Sequence, residues 1–291
     1  NLAGAVVMAL GCERNNIYAF LEQEGLEAGP MLKTVVLQEV GGTERAIAEG
    51  ITAVEAMLPQ ANFTARAPVP LSQLVLGLQA ADLAGAQPAL QAAVGFAVDS
   101  LVQQGATVLV SDTRSAAPAL AQRVASAEIG EHLQQRIVWW RQHAAGRDTR
   151  APVLATPGLP FAGSTPLAGV IGYAHPISAS GLVFMDSPGY EAISATGQVA
   201  SGANLVCLFT RNGSSFGAAG APTLKAATDA TVFAEQSEDL DFDASDTSDP
   251  QALGQRLLDC WLAHASGRPT CSEDLGLGDD EFVPWPIGVL A

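Results

Sequence analysis

Lysine is nearly absent from this sequence: Lys33 and Lys225 are the only two among 291 residues. Charged residues of all kinds make up only 15% of the chain, and 30 acids against 14 bases give a formal net charge of −16. Such an acidic surface repels phosphate backbones and anionic lipids, so we expect neither nucleic acid nor a membrane as a partner. An anionic ligand would need local donors, or a metal, to offset this field.

Cysteine is scarce as well, and the four thiols form no recognisable pairing pattern. No CxxC pair occurs among Cys12, Cys207, Cys260 and Cys271, which argues against a zinc ribbon and a disulfide scaffold. The chain also lacks an apolar run of about eighteen residues and the basic segment and cleavage site of a signal peptide. These absences predict a cytoplasmic location. The missing initiator Met predicts a fragment, or a chain with disordered residues ahead of Asn1.

Several common catalytic signatures are missing too. The sequence contains no P-loop, GxSxG elbow, HExxH motif or correctly spaced GxGxxG. The acidic string that begins at Asp239 fails as a calcium loop, because Ala244 and Pro250 stand where Gly and Glu are required. We therefore interpret the acid-rich segment from Glu235 to Asp249 as an exposed loop.

The apolar pattern alternates between short and long periodic segments. Six short apolar runs predict strands: AVVMAL, KTVVLQ, LVLGLQ, TVLVS, LVFMD and NLVCLF. Helical patterns occupy Thr43 to Leu58, Pro88 to Gln104, Ala116 to Ala145 and Pro250 to Ala265. This alternation predicts an α/β, Rossmann-like fold, with mostly parallel sheets and helices on both faces.

One segment, residues 147–180, interrupts this alternation of strand and helix patterns. Residues 147–180 are rich in Pro, Gly, Ala and Ser and show little helical pattern. We predict that this segment connects two sheet-containing halves, residues 1–146 and 181–291.

Polar and glycine-rich stretches follow several of the predicted strands, where the carboxyl ends of a parallel sheet line a ligand crevice. Asp112 and Asp186 each end such a strand. A carboxylate there can hold a metal or take a proton, or it can cap the next helix by accepting from free N–H groups. Capping is the more common role and the one we favour for Asp112. For Asp186 both interpretations remain open.

Other candidates carry similar alternatives. The stretch RNGSSFG supplies Arg211, Ser214 and flexible backbone, which suit a carboxylate or phosphate but also suit an ordinary surface turn. The small residues of ISATGQVASGAN suit close helix packing or an anion at a helix N-terminus. Cys12 is either a metal ligand or a structural thiol. His175, which precedes a proline in a loop, is the one histidine we keep as an acid–base candidate.

Taken in order, these stretches resemble the altronate/galactarate dehydratase family. The resemblance rests on LGCERN, QEVGGTERAIAEG, LVLGLQ, GATVLVSDT, IVWW, GLVFMDSPGY, SATGQVASGANL, FTRNGSSFG and DDEFVPWPIG. It covers most of the chain and corresponds to the large carboxyl-terminal part of that family. The resemblance implies a carbon–oxygen lyase that dehydrates a sugar acid to a 2-keto-3-deoxy acid with a divalent metal, Fe²⁺ or Mn²⁺. A related branch cleaves sulfolactate, and a large subunit of that kind is a further alternative.

The resemblance also implies a set of site residues. We assign catalysis to Asp186, Lys225 and His175, and a metal site to Cys12 and Glu13. Substrate binding is assigned to Gln79, Thr196, Gln198, Asn204, Arg211 and Ser214. The implied partner is a small hydroxy acid, and we also consider a homodimer or a separate small amino-terminal-type domain or subunit.

The sequence departs from the family pattern at three places. Residues 80–83 replace a cysteine and a Gly-Gly-Ser-Asp-Gly turn, and residues 112–115 replace Glu-Thr-Pro-Glu. The stretch beyond Thr156 is shorter by about one helix, roughly 11 residues. These losses support an alternative function: a degenerate, non-catalytic family member without a metal, which binds a ligand or a protein partner.

Overall fold

The computed structural model describes residues 2–79, 87–113, 116–144, 163–278 and 281–286. The chain divides into two compact units, Asn1–Pro68 (unit 1) and Val69–Ala291 (unit 2). Among the described residues, no helix is both long and apolar enough to cross a bilayer.

Unit 1 contains a two-stranded parallel sheet and three helices. The strands are β1 (Ala5–Ala9) and β2 (Leu32–Val36), and the helices are α1 (Ile17–Gln23), α2 (Leu37–Val40) and α3 (Thr43–Ala61). Asn16 begins α1, since its side chain accepts hydrogen bonds from the backbone N–H groups of Tyr18 and Ala19, both at 3.0 Å.

Unit 2 is built on one parallel sheet of seven strands in the order β5-β6-β4-β3-β7-β8-β9. The strands are β3 (Val75–Gln79), β4 (Thr107–Val110), β5 (Leu167–Ile171), β6 (Leu182–Met185), β7 (Leu205–Thr210), β8 (Thr223–Ala227) and β9 (Phe242–Asp243). The helices are α4 (Pro88–Gln103), α5 (Ala117–Leu120), α6 (Ala127–Ala144), α7 (Glu191–Ser201), α8 (Ala230–Glu235), α9 (Pro250–Ala265) and α10 (Cys271–Asp274), with a 3₁₀ turn at Leu71–Gln73.

Both faces of this sheet are covered. Leu76 and Leu78 belong to the large core cluster that includes α4 and α9. Between them Gly77 faces the other side, where a Cβ would lie 2.7 Å from Oε1 of Gln198 on α7. Helices α4 and α9 can pack closely because residue 254 is glycine. A Cβ at that position would lie only 2.7 Å from the carbonyl oxygen of Ala93. The predicted α/β fold, with parallel sheets and helices on both faces, is therefore confirmed.

All six predicted strands are present, but the sequence did not reveal β5, β8 and β9. The helix predicted over Ala116 to Ala145 is divided into α5 and α6. The segment from Glu235 to Asp249 is not simply an exposed loop, because it contains β9 and buries Leu240.

The compact units also differ from the two predicted halves. Strands β3 and β4 come from the stretch 1–146, yet they share one sheet with the strands of 181–291. The predicted connection, 147–180, contains β5, and its residues 147–162 lie outside the described part of the chain. The alternation of strand and helix patterns did not reveal that these strands share a sheet, because strands that pair in a parallel sheet can be far apart in the chain.

Candidate functional site

Asp186 lies directly after β6 and is only 4% exposed. Its Oδ1 accepts hydrogen bonds from Oγ1 of Thr113 at 2.6 Å and from Nε1 of Trp140 at 2.7 Å. Its Oδ2 lies 3.7 Å from Nη1 of Arg136, whose side chain is 46% exposed. Burial of a carboxylate is costly unless it is paired and hydrogen-bonded, and these three neighbours meet that need. We call these four residues the Asp186 network.

The loops after β4 and β6 are joined beside this network. The hydroxyl of Ser187 accepts from the backbone N–H of Asp112 at 3.2 Å and lies 2.7 Å from the hydroxyl of Ser194 on α7. Asp112 itself has a left-handed backbone, with φ of +83°, which is strained for a residue other than Gly. Backbone strain is found more often at functional sites than elsewhere. Here the strained residue follows β4, at the carboxyl ends of the adjacent strands β4 and β6.

Two predicted binding residues lie inside the same edge of the sheet. The side-chain amides of Gln79, at the end of β3, and Gln198, on α7, both donate to the hydroxyl of Ser111. Gln198 is fully buried and also donates to the carbonyl of Leu109 at 3.0 Å. Its Oε1 lies against Gly77 and has no hydrogen-bond partner among the described atoms.

Aromatic rings cover the Asp186 network. Trp140 and Trp285 stack with centroids 5.1 Å apart and planes 6° from parallel, and Tyr173 packs edge-on against Trp285 at 5.7 Å. The hydroxyl of Tyr173 donates to the carbonyl of Ile193 at 2.8 Å. Burial raises the pKa of Tyr173 to about 12. The carboxyl-terminal residues thus help to close the site, and the backbone N–H of Val283 donates to Oγ1 of Thr196 at 3.1 Å.

Lys225 lies within β8 and is 1% exposed. Its ammonium donates to the hydroxyl of Ser272 on α10, while Asp241 accepts from the backbone N–H groups of Lys225 and Cys271 at 2.7 and 2.6 Å. Burial and the neighbouring Asp241 raise the pKa of the Cys271 thiol to about 11, so this thiol is neutral at pH 7. The predicted catalytic lysine is therefore held inside the protein by α10.

A pocket of about 340 Å³ opens at the carboxyl end of β5, and we call it the β5 pocket. Its lining residues come from α6 and from the segment around β5: His132, Gln135, Arg136, Val170, Ile171, Gly172, His175, Pro176 and Ser178. The predicted acid–base residue His175 is exposed there, with its ring against Gly172. Arg136 links this pocket to Asp186.

A second pocket, the β7 pocket, opens after β7 and has a volume of about 530 Å³. Its lining residues are Glu191, Asn212, Gly213, Ser214, Ser215, Phe216, Gln236, Asp239 and Glu281. The predicted residue Ser214 donates to Glu191 here. Three carboxylates and no cation line this pocket, which disfavours an anionic ligand.

Other predicted site residues lie elsewhere. Asn204 directly precedes β7, at the amino edge of the sheet, where it accepts from the N–H of Val75 at 2.9 Å and donates to the carbonyl of Gln73 at 2.7 Å. Arg211 is exposed after β7 and does not line either pocket. The altered residues 80–83, 114 and 115 and the shortened stretch after Thr156, up to residue 162, lie outside the described part of the chain.

The predicted metal ligands belong to unit 1. The Cys12 thiol is exposed and accepts from Nε2 of Gln38 at 3.1 Å. The Glu13 carboxylate accepts from the N–H groups of Leu10 and Gly11 at 2.7 and 2.6 Å. Hydrogen bonds from backbone N–H groups, first its own, lower the pKa of Glu13. Across the described ranges no group of three His, Cys, Asp or Glu side chains is arranged to hold a metal. The assignment of Cys12 and Glu13 as ligands of Fe²⁺ or Mn²⁺ stays a prediction.

Sequence reasoning did not single out Arg136, or the exposed His132 four residues before it, as site residues. Their spacing of four residues on a predicted helix was the available signal, because residues i and i+4 share one helix face. The sequence could not show that this face of α6 lies beside β5.

A parallel α/β sheet with buried polar side chains at its carboxyl edge is the architecture of many small-molecule enzymes. Two family profiles match the chain: "D-galactarate/Altronate dehydratase, C-terminal" at residues 160–290 and "D-galactarate dehydratase/Altronate hydrolase, second domain" at residues 1–62. The second match nearly coincides with unit 1. The chain belongs to the galactarate/altronate dehydratase family.

Curated relatives agree with this assignment at low identity. The chain is 25% identical to the altronate dehydratase of Bacillus subtilis (strain 168) over 84% of its own length and 52% of the relative. It is 26% identical to the galactarate dehydratase (L-threo-forming) of Escherichia coli (strain K12) over 99% of its length and 61% of the relative. It is 25% identical to the altronate dehydratase of the same bacterium over 93% of its own length and 59% of the relative. The chain thus spans about half to three fifths of the length of these relatives.

Proposed function

We propose that this chain forms the sheet-bearing part of a sugar-acid dehydratase, a hydro-lyase that converts a hydroxy acid into a 2-keto-3-deoxy acid. Membership of the family supports this, as do the names of the relatives, which are dehydratases of altronate and galactarate. The single structural observation that carries it is the buried Asp186 network at the carboxyl edge of a parallel sheet. Altronate and galactarate are the proposed substrates.

Dehydration of a hydroxy acid needs three things from the protein. A base removes the proton next to the carboxylate, positive groups or donors stabilise the enediolate, and an acid protonates the leaving hydroxyl. We assign the base to Asp186. Its Oδ1 already accepts from Thr113 and Trp140, so Oδ2, on the side of Arg136, is the oxygen that takes the proton.

The remaining roles follow from exposure. His175 lines the β5 pocket and is the residue we assign to protonating the leaving hydroxyl. Arg136 supplies positive charge beside Asp186. The predicted catalytic role of Lys225 requires that α10 move, because the ammonium is buried against Ser272.

The relatives extend well beyond the length that this chain matches. We therefore propose that a separate domain or subunit contributes to the complete site. We also propose a cytoplasmic location, because all four cysteines are free thiols.

A non-catalytic binding module is the second candidate. The observation in its favour is that neither Asp186 nor Lys225 lines the β5 pocket or the β7 pocket. In such a protein the buried carboxylate and ammonium would stabilise the fold around a ligand that is bound without being converted.

The deciding experiment measures 2-keto acid formation from galactarate and altronate by the native protein that contains this chain. Asp186→Asn is compared with Asp259→Asn, a matched change of an exposed carboxylate on α9. We expect turnover by the wild type and by Asp259→Asn, and a loss of at least about 100-fold in Asp186→Asn, since removing a general base typically costs about 10²–10⁴-fold. Binding of either acid without turnover would favour the binding module, and equal turnover in both variants would exclude Asp186 as the base.

A further inference from the structure

The β5 pocket differs in charge from the rest of this acidic chain. Arg136 supplies a permanent positive charge, and the side chains of His132 and His175 add imidazole groups. None of its nine lining residues, all of them in the described part of the chain, is acidic. In a protein with a formal net charge of −16, the β5 pocket therefore brings together the donors that an anion needs.

Helix geometry explains why the donors converge. His132, Gln135 and Arg136 are at positions i, i+3 and i+4 of α6, so they lie on the same helix face. From the opposite wall, His175 follows β5 and packs against Gly172, where an added Cβ would lie 3.3 Å from the imidazole ring. The two walls therefore present donors toward one volume.

We propose that the β5 pocket binds a carboxylate group of a polyhydroxy acid, with Arg136 as the principal contact and His132 and His175 as additional donors. This inference rests on the proposed function, since it identifies where the acid end of the substrate is held. A guanidinium carries five N–H donors in a planar fork that matches a carboxylate. Its ion pair with Asp186, at 3.7 Å, is longer than a hydrogen bond and leaves that fork able to bind a ligand.

The position also relates the carboxylate to the proposed base. Arg136 contacts Oδ2 of Asp186 on one side and lines the pocket on the other. A substrate carboxylate on Arg136 and the carboxylate of the proposed base would therefore share one guanidinium. The pocket volume of about 340 Å³ lies within the range of about 300–1,000 Å³ that is usual for small-molecule sites.

The test is calorimetric titration with galactarate, and with galactitol as the matched polyol that lacks both carboxylates. The variants are Arg136→Gln and Arg136→Lys, with Arg141→Gln as the control because Arg141 is an exposed arginine of the same helix outside the pocket. We expect Arg136→Gln to weaken galactarate binding about tenfold to 100-fold, the usual effect of losing a hydrogen bond to a charged group. Arg136→Lys should show a smaller loss, and Arg141→Gln a change of less than about twofold. Thermal unfolding of each variant confirms that it is folded.

Galactitol binding as tight as that of galactarate would overturn the inference, as would an Arg136→Gln affinity within about twofold of wild type. Turnover assays on the same variants separate the two proposals. Wild-type turnover with an unchanged KM in Arg136→Gln would refute the carboxylate site and leave the dehydratase intact. Binding that depends on Arg136 but yields no 2-keto acid would support the carboxylate site and refute the dehydratase.

Discussion

The β5 pocket and the β7 pocket open at carboxyl ends of strands in one parallel sheet, yet their charges are opposite. Arg136 and two histidines line the first, whereas Glu191, Asp239 and Glu281 line the second, which is also the larger. The shared sheet therefore creates pockets but does not determine the charge of the ligand that each pocket can bind. The choice depends on which helix face lies beside each strand end, and α6 is what makes the β5 side suitable for an acid.

The two sides also differ in how firmly their carboxylates are held. Asp186, behind the β5 pocket, is 4% exposed and accepts two hydrogen bonds on one oxygen. Asp239, in the β7 pocket, is only partly buried. A buried carboxylate with fixed donors is part of the folded core, while a partly exposed one can be changed with little effect on the fold.

The largest expected effect on stability comes from truncating the buried carboxylate. Asp186→Ala leaves the Thr113 hydroxyl and the Trp140 indole N–H without their acceptor, and each unpaired buried donor costs about 1–3 kcal/mol. We expect urea unfolding to show a loss of about 2–5 kcal/mol. Asp239→Ala, the matched change in the β7 pocket, should stay within about 0.5 kcal/mol of wild type. Equal losses in the two variants would contradict the contrast between the pockets.

A comparison of two glycines tests the packing beside Asp112. Gly189 has φ of +80°, and a Cβ there would lie 2.6 Å from Oδ1 of Asp112. Gly202, which ends α7 with φ of +114°, has no atom within 4 Å of the same position. Left-handed backbone alone costs a non-glycine residue about 1–2 kcal/mol. We expect Gly202→Ala to lose about 1 kcal/mol in urea unfolding and Gly189→Ala about 3 kcal/mol, the excess arising from the clash. Similar losses would mean that the Asp112 side chain moves aside freely.

The β7 pocket is tested by removing one of its charges. Glu191→Gln should change the affinity for galactarate by no more than about twofold, because screened charges outside the site contribute little. Calorimetry alongside Arg136→Gln provides the comparison. A tenfold loss in Glu191→Gln, with Arg136→Gln unaffected, would transfer the ligand to the other pocket.

The smallest expected effect is at alkaline pH. Burial raises the pKa of Tyr173 from 10 to about 12 in the folded protein, so the neutral phenol is favoured by folding. Its contribution is complete below pH 10 and is lost as the pH rises towards 12. Tyr173→Phe should therefore flatten the decline in melting temperature over that window. An unchanged slope in the variant would show that other groups cause the decline.

Much of the fold could be predicted because its strands are unusually apolar. Parallel strands buried on both faces appear as continuous hydrophobic runs, and β3, β4, β6 and β7 all do so. Strand β8 was missed because Lys225 lies at its centre, which is rare for a buried strand. Strand β5 was missed because Pro and Gly residues surround it.

The candidate site could be predicted only in part. The strand end indicated Asp186 correctly as a member of the carboxyl edge, since all parallel strands end there. Gln79, which was taken from the family resemblance, lies at the same edge. Asn204 belongs to the amino edge instead, where its side chain joins β7 to the start of β3. Its substrate-binding role stays a prediction. Arg136 could not be placed from sequence, because helical periodicity gives a face and does not give its neighbour.

The stacked indoles of Trp140 and Trp285 give this protein an optical signal that comes from its tertiary structure. Two parallel indoles 5.1 Å apart couple their electronic transitions, and one of them is hydrogen-bonded to Asp186. Circular dichroism of that pair therefore reports whether the carboxyl-terminal segment lies in place over the buried carboxylate. Anything that lifts the segment away, a ligand included, will change the spectrum without any added label.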